Sequence, residues 1–274
     1  MAAGRSWRNI SNVVRKEWLN ALRTPNSVLF MTLFPILITV QVLFVIWLVV
    51  SIAGPEALST TIFHEGVQKL ARITPAVTSL SPIDRFKLFF YSLMPLYILL
   101  IPAMVANGLA TFSIIEEKQT GTLEPLLATP VKTWELLIAK ALYGAIPAVL
   151  VTWICAVLFL AGVAIIGPVS LLHLVVSLEF VLSLILVVPL VTLLSFLVGV
   201  IGSSRARDAK GAQNLAILIV LPLFGIVAIQ LLGILVFKPI MIILLSVAIL
   251  LIDILVLRLA VRLFHRESII TKWK

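Results

Sequence analysis

The chain has 274 residues, of which 61% are hydrophobic and only 12% charged. Soluble domains run about 45–50% apolar and about 25% charged. Together with a mean hydropathy of +1.18, this excludes an ordinary soluble domain, a collagen, a disulfide scaffold and a disordered tail, and it reads the net charge of +9 as that of a polytopic membrane protein that binds no nucleic acid.

The first 27 residues read as an amphipathic helix. Trp7, Ile10, Val14, Trp18, Ala21 and Leu22 recur every three or four positions, with Arg5, Arg8, Asn12, Arg15 and Arg23 largely opposite. An aromatic and basic helix of this kind lies in the headgroup plane of membrane lipid. Thr24, Pro25 and Asn26 are expected to break it. The rest of the chain, 28–274, reads as one membrane domain. A spanning helix needs about 20 mostly apolar residues, and six segments meet this: 28–51, 88–115, 136–166, 171–202, 215–237 and 240–260. The first is too long and too basic in its approach for a cleaved signal peptide. Between spans one and two, the segment 52–87 carries a short imperfect amphipathic pattern through Leu58, Ile62, Gly66, Lys69, Leu70 and Ile73. Spans five and six are separated only by Lys238 and Pro239. The expected fold is an all-α integral membrane protein.

An even span count places both termini on one side, and basic residues say which. With the termini cytoplasmic, the inner segments hold Arg5, Arg8, Arg15, Lys16, Arg23, Lys118, Lys132, Lys140, Arg205, Arg207, Lys210, Arg258, Arg262, Arg266, Lys272 and Lys274, sixteen of the 21 basic residues. Lys69, Arg72, Arg85, Lys87 and Lys238 remain outside. Both ends are therefore expected inside.

The most specific stretch runs from Ile115 to Pro130. Gly121 permits a turn out of span two, Thr122 caps a new helix, and Glu124 sits in its first turn, where a carboxylate suits the helix dipole. Pro125 is early enough to be tolerated and Pro130 ends the element. Leu123, Leu126 and Leu127 give this roughly two-turn helix an apolar face, preceded by the acids Glu116 and Glu117. Such an element is shaped to dock in a groove on another protein.

These residues resemble the membrane subunits of type-2 ABC exporters, which share the type V exporter fold. The pattern of an acidic pair, a spacer, Gly-Thr, one residue, Glu, leucines and a proline is met by Glu116, Glu117, Gly121, Thr122, Glu124, Leu126, Leu127 and Pro130. The run from Asp208 to Asn214 into the fifth span is a weaker match, and the N-terminal helix and six spans extend the likeness over essentially the whole chain. The resemblance implies a dimeric permease, homodimeric or paired with a paralogue, in a prokaryotic cytoplasmic (inner) membrane. It also implies two copies of a separate ABC ATPase subunit, which would bind the ATP and Mg. The ATPase contact would be built from the residues of that pattern, with Arg15 and Glu17 of the N-terminal helix as weaker candidates. Many relatives carry a longer re-entrant segment between spans five and six, for which this chain leaves little room.

No cofactor is expected in the chain itself. A phosphate-cradling P-loop needs a Gly-Lys pair, and none occurs. Cys155 is the single cysteine, and the three histidines lack ligand spacing, so no metal site and no catalytic residue is expected. Glu179 and Asp253 lie inside spans, where a carboxylate costs roughly 2.5–3.5 kcal/mol and usually faces a cavity or a partner. Glu179 is expected about 12 Å below the outer end of span four, within reach of His173 or Lys238. With Asn107 and Gln230, these acids are the candidate cargo-contacting or intramembrane polar residues. Spans dominated by Leu, Ile and Val suit an amphipathic or lipid-like cargo. A nucleotide-independent secondary transporter is the alternative, disfavoured by isolated acids and by the lack of pseudo-symmetric halves; a lipid-modifying enzyme lacks a converging polar cluster.

Overall fold

The computed structural model describes residues 2–23, 25–53, 67–68, 71, 75–121, 133–205, 221–222, 224–225, 229 and 238–263. Among them every regular element is helical. Helix α1 (Ala2–Arg23) is followed by α2 (Pro25–Ala53), whose first residue is a proline. Proline is well placed there because the first N–H of a helix has no intrahelical acceptor. The residue at which the break is expected, Thr24, lies outside the described residues, and Pro25 and Asn26 are helical.

The second apolar segment is divided. A 3-10 turn (Pro75–Ser79) leads to α3 (Pro82–Ser92), α4 (Met94–Ile98) and α5 (Leu100–Gln119). Ser81 caps α3, accepting from the Asp84 N–H at 3.2 Å and donating to Asp84 Oδ2 at 2.7 Å. The interruptions at Leu93 and Leu99 have a direct cause. Pro95 and Pro102 cannot donate to the carbonyls of Tyr91 and Ile98, so the ladder fails one turn before each proline. Neighbouring helices must hold such a segment together.

Helix α6 (Thr133–Ile166) has 34 residues, about 51 Å at 1.5 Å per residue. That exceeds a hydrocarbon core of about 30 Å, so its first turns have room to stand outside the lipid. At its other end, Lys87 of α3 donates to the Ile166 carbonyl at 3.4 Å, where a cation suits the helix terminus.

The fourth span is shorter than expected. Helix α7 (Val169–Val175) ends in an inverse γ-turn at Val176 (φ −75°, ψ 61°), with Ser177 N donating to Val175 O. Ser177 then caps α8 (Leu178–Leu182) through the Phe180 N–H. A π-helical turn (Ser183–Val187) follows, and then α9 (Val188–Arg205). The π turn frees carbonyls from the regular ladder, and the Trp153 indole of α6 donates to one of them, Leu184 O, at 3.1 Å. Helix α10 (Pro239–Leu263) again starts on a proline.

Four helices among the described residues are long and apolar enough to cross a membrane: Thr32–Ile52, Trp134–Ile166, Leu178–Ser203 and Pro239–Leu263. The expected second span is the divided α3–α4–α5 series. The expected fifth, 215–237, lies outside the described residues apart from isolated positions, as do all six residues of the amphipathic pattern expected in 52–87.

The core is built on α5, α6 and α9. One cluster joins Val105, Leu109 and Ile114 of α5 with Leu137 and Tyr143 of α6 and Phe196 and Val200 of α9. A second surrounds Phe159, Tyr91 and Phe180 near the other end of the bundle. A third joins Leu99, Leu100, Val188 and Val191 to Ile242 and Ile249 of α10. Helices α5 and α9 approach so closely that a Cβ on Gly199 would lie 2.6 Å from Asn107 Oδ1 and 2.9 Å from the Ala110 Cβ. The broad outward faces of α2, α6 and α10 remain apolar and exposed, as lipid contact requires.

Candidate functional site

The most developed polar constellation lies where α1 crosses the end of α5 and the start of α6. Lys140, on α6, is only 1% exposed. Its ammonium stands 2.8 Å from Glu117 Oε1 of α5 and 3.6 Å from Glu17 Oε1 of α1. It also donates to Ser113 Oγ at 2.7 Å, and that hydroxyl donates to Glu17 Oε2 at 3.3 Å. Lys16 adds a more exposed contact to Glu17 at 3.7 Å. A second polar tie stands eight residues earlier on α1, where Asn9 Nδ2 donates to Glu135 Oε2 at 3.4 Å. One buried cation is therefore shared by two buried carboxylates from two other helices. Buried charges persist only when paired and hydrogen-bonded; here one buried cation serves two carboxylates, and Glu117 Oε2 has no hydrogen-bond partner among the described residues.

Burial holds the Glu117 carboxyl above the ordinary carboxylate value of 4.5, and Lys140 lowers it only part of the way back. An acid held above its unfolded value stabilises the fold fully below that unfolded value, and loses that contribution as pH rises through the folded one. Wild type is therefore expected to lose stability relative to Glu117→Gln as pH rises above the ordinary carboxylate value of 4.5. Thermal midpoints in detergent over that rise would check this; parallel curves for the two proteins would contradict it.

The expected coupling residues divide sharply. Arg15 and Glu116 are exposed. Glu17 and Glu117 are each 6% exposed and face Lys140, so their carboxylates join helices of this chain and do not look outward. Gly121 has the left-handed φ of +68° that its place after α5 demands. Thr122, Glu124, Leu126, Leu127 and Pro130 lie outside the described residues.

Helix α1 is amphipathic as expected, but its buried line is rotated. Ile10 and Glu17 are buried and Trp18 packs on the first core cluster, whereas Trp7 is 69% exposed. The reason is that α1 packs against α6, so protein takes one flank and leaves Trp7 on the other.

The intramembrane candidates are scattered. Glu179 is half-buried in the first turn of α8, at the beginning of its span and not 12 Å along it, because the helix restarts at Leu178. Its carboxylate forms no ion pair with His173 or Lys238 among the described residues; the helix dipole is its favourable environment. Asp253 is 2% exposed on α10, and neither carboxyl oxygen has a hydrogen-bond partner among the described residues. Asn107 is buried against Gly199, with its Oδ1 also unpartnered among the described residues. Gln230 lies outside the described residues. Many span hydroxyls bond to the carbonyl four residues earlier, as with Thr39 on Pro35 and Thr152 on Ala148. These are spent on the backbone.

Sequence reasoning missed Lys140, Ser113, Asn9 and Glu135. The signal was present for Lys140, a lysine inside an apolar run, which must find a partner or reach the interface.

An apolar crevice lies elsewhere, between α2 and the α4–α5 segment, lined by Phe34, Pro35, Tyr97, Ile101, Met104 and Phe224. No group of three or more metal-ligating side chains gathers among the described residues.

No curated protein matches the chain. A family model described as "ABC-2 family transporter protein" matches residues 11–257, which takes in α1 from its middle, the Lys140 constellation and nearly all of α10. The chain therefore belongs to the ABC-2 transporter family, as a multi-pass ABC transporter permease that works as the membrane partner of an ABC ATPase subunit.

Proposed function

We propose that this permease is the translocating half of an ATP-driven exporter, working as a dimer with each subunit docked on one ATPase. The observation that carries the proposal is the match over residues 11–257, which embraces the acidic pair, the Gly121 turn and the leucine-rich stretch that follows. The ATPase contact is assigned to Glu116, Thr122, Glu124, Leu126 and Leu127, bounded by Gly121 and Pro130, with exposed Arg15 adding to it. This end of the bundle and both termini are assigned to the cytoplasmic side on the basic-residue bias, and the membrane to a prokaryotic inner membrane on the family likeness. ATP and Mg belong to the partner subunit, and no residue of this chain is assigned a catalytic role.

The cargo is assigned to the amphipathic or lipid-like class. The crevice around Phe34, Tyr97 and Met104 is almost wholly apolar, and the buried hydroxyls of Thr39 and Thr152 are turned to backbone carbonyls. Closure of the ATPase pair would press on the segment after Gly121 and rock the two bundles between inward-open and outward-open states.

Leu127→Asp and Glu124→Lys are the direct tests. A charge placed in a docked apolar face, or reversed beside it, is expected to abolish co-purification of the ATPase while leaving the permease folded. Unchanged co-purification and unchanged ATP hydrolysis by the complex would overturn the assignment. Transport driven by an ion gradient with no nucleotidase bound would favour a secondary transporter instead.

A further inference from the structure

Lys140 is not part of the acidic and leucine-rich pattern, yet more polar contacts converge on it than on any residue of that pattern among the described residues. An ammonium has three N–H donors and no acceptor, and three groups stand around this one: Glu117 at 2.8 Å, Ser113 at 2.7 Å and Glu17 at 3.6 Å. Two come from α5 and one from α1. Glu117 is four residues before Gly121, one turn from the point where the chain leaves α5 for the ATPase-facing segment. Glu17 is its counterpart on α1, the only acid of a helix whose other charged residues are basic. Eight residues away, about 12 Å along the helix, Asn9 meets Glu135 at the first turn of α6. Two polar pins at that separation fix not only the position of α1 but its direction.

We propose that Lys140 is the positioning residue that makes α1, the end of α5 and the start of α6 move as one lever, by holding Glu17 and Glu117 on a single buried cation. The inference rests on the reading that the ATPase acts on the segment after Gly121. A push there reaches Glu117 within one helical turn, and the shared cation passes it to α1 without waiting for the covalent path through span one. The headgroup-level helix then follows the motor instead of floating beside it. The exposed Arg15 and Trp7 travel with it, as grips on whatever borders α1.

The test uses the full chain in lipid nanodiscs with its ATPase bound, in a Cys155→Ala background. Spin labels are placed at Ser11 on α1 and Trp134 on α6, both exposed. Wild type and Lys140→Arg are expected to give one narrow distance distribution. The charge-free triple variant Glu17→Gln, Glu117→Gln, Lys140→Met is expected to keep the fold, because no uncompensated charge is left buried, yet to broaden the α1 distance. It should also lower ATP turnover of the intact complex about tenfold, within the about 5–150-fold range of typical coupling between sites. Lys140→Arg should restore both readouts. A narrow distance in the triple variant would overturn the proposal, and so would a broadened distance with turnover unchanged. The underlying docking assignment fails separately: Leu127→Asp would then leave ATPase binding intact while the distance results stood as described.

Discussion

Replacing Lys140 with methionine is expected to destabilise the permease by about 3–5 kcal/mol, the usual cost of removing one partner from a buried ionic group. Glu17 and Glu117, each only 6% exposed, would be left facing each other with no buried cation, only the more exposed Lys16 at 3.7 Å from Glu17. Ser113 would lose the donor that now reaches it at 2.7 Å. Neutralising Glu17 and Glu117 in the same chain should recover most of the loss, because apolar or neutral replacement of a whole buried ionic group is often close to neutral. The thiol of Cys155, fully buried in the core of α6, offers a convenient reporter: its modification by a thiol-reactive dye on heating tracks the opening of the bundle. Equal midpoints for wild type and Lys140→Met would show that the ammonium carries no net stabilisation.

Gly199→Ala should have the second large effect. The added Cβ would sit 2.6 Å from Asn107 Oδ1, 3.1 Å from the Asn107 carbonyl and 2.9 Å from the Ala110 Cβ. The amide can turn away, but the backbone carbonyl and the Ala110 methyl belong to the facing helix. Overpacking of this kind costs about 1–3 kcal/mol, here paid by separating α5 from α9. Exchanging the methyl groups, with Gly199→Ala combined with Ala110→Gly, should restore much of the stability, since neighbouring substitutions are not additive. A midpoint for Gly199→Ala at or above wild type would show that the helices have slack the geometry does not suggest.

Much of this architecture was legible in the sequence. Composition alone demanded membrane helices, and the apolar runs locate four of them within a few residues, save for the late start at Leu178. Pro25 and Pro239 mark helix starts because a first-turn proline loses nothing, and Gly121 marks a helix exit because its φ is positive. What was not legible depends on contacts between distant parts of the chain. Pro95 and Pro102, seven residues apart in one apolar segment, divide it into separate helices. Ser177 reads as one more small residue in an apolar run, until its side chain is seen capping α8. The ionic site shows the limit most clearly. Glu17 and Glu117 stand among the ATPase-contact residues that the family likeness implies, and nothing local tells an acid on a helix which partner it will also face. Only the packing of α1 on α6 brings them to Lys140.

The π turn at Ser183–Val187 has a bearing on how related chains should be compared with this one. It adds one residue to a helix without lengthening the span, so everything after Val188, including the Gly199 contact with α5, is turned by about 100° relative to an uninterrupted helix. Trp153 supplies the indole donor that one freed carbonyl uses. A relative with phenylalanine at the position of Trp153 would lack that donor, and is expected to be one residue shorter between the counterparts of Ser177 and Gly199. The covariation of an indole with a single-residue gap would then mark, in sequence alone, which permeases carry the extra residue.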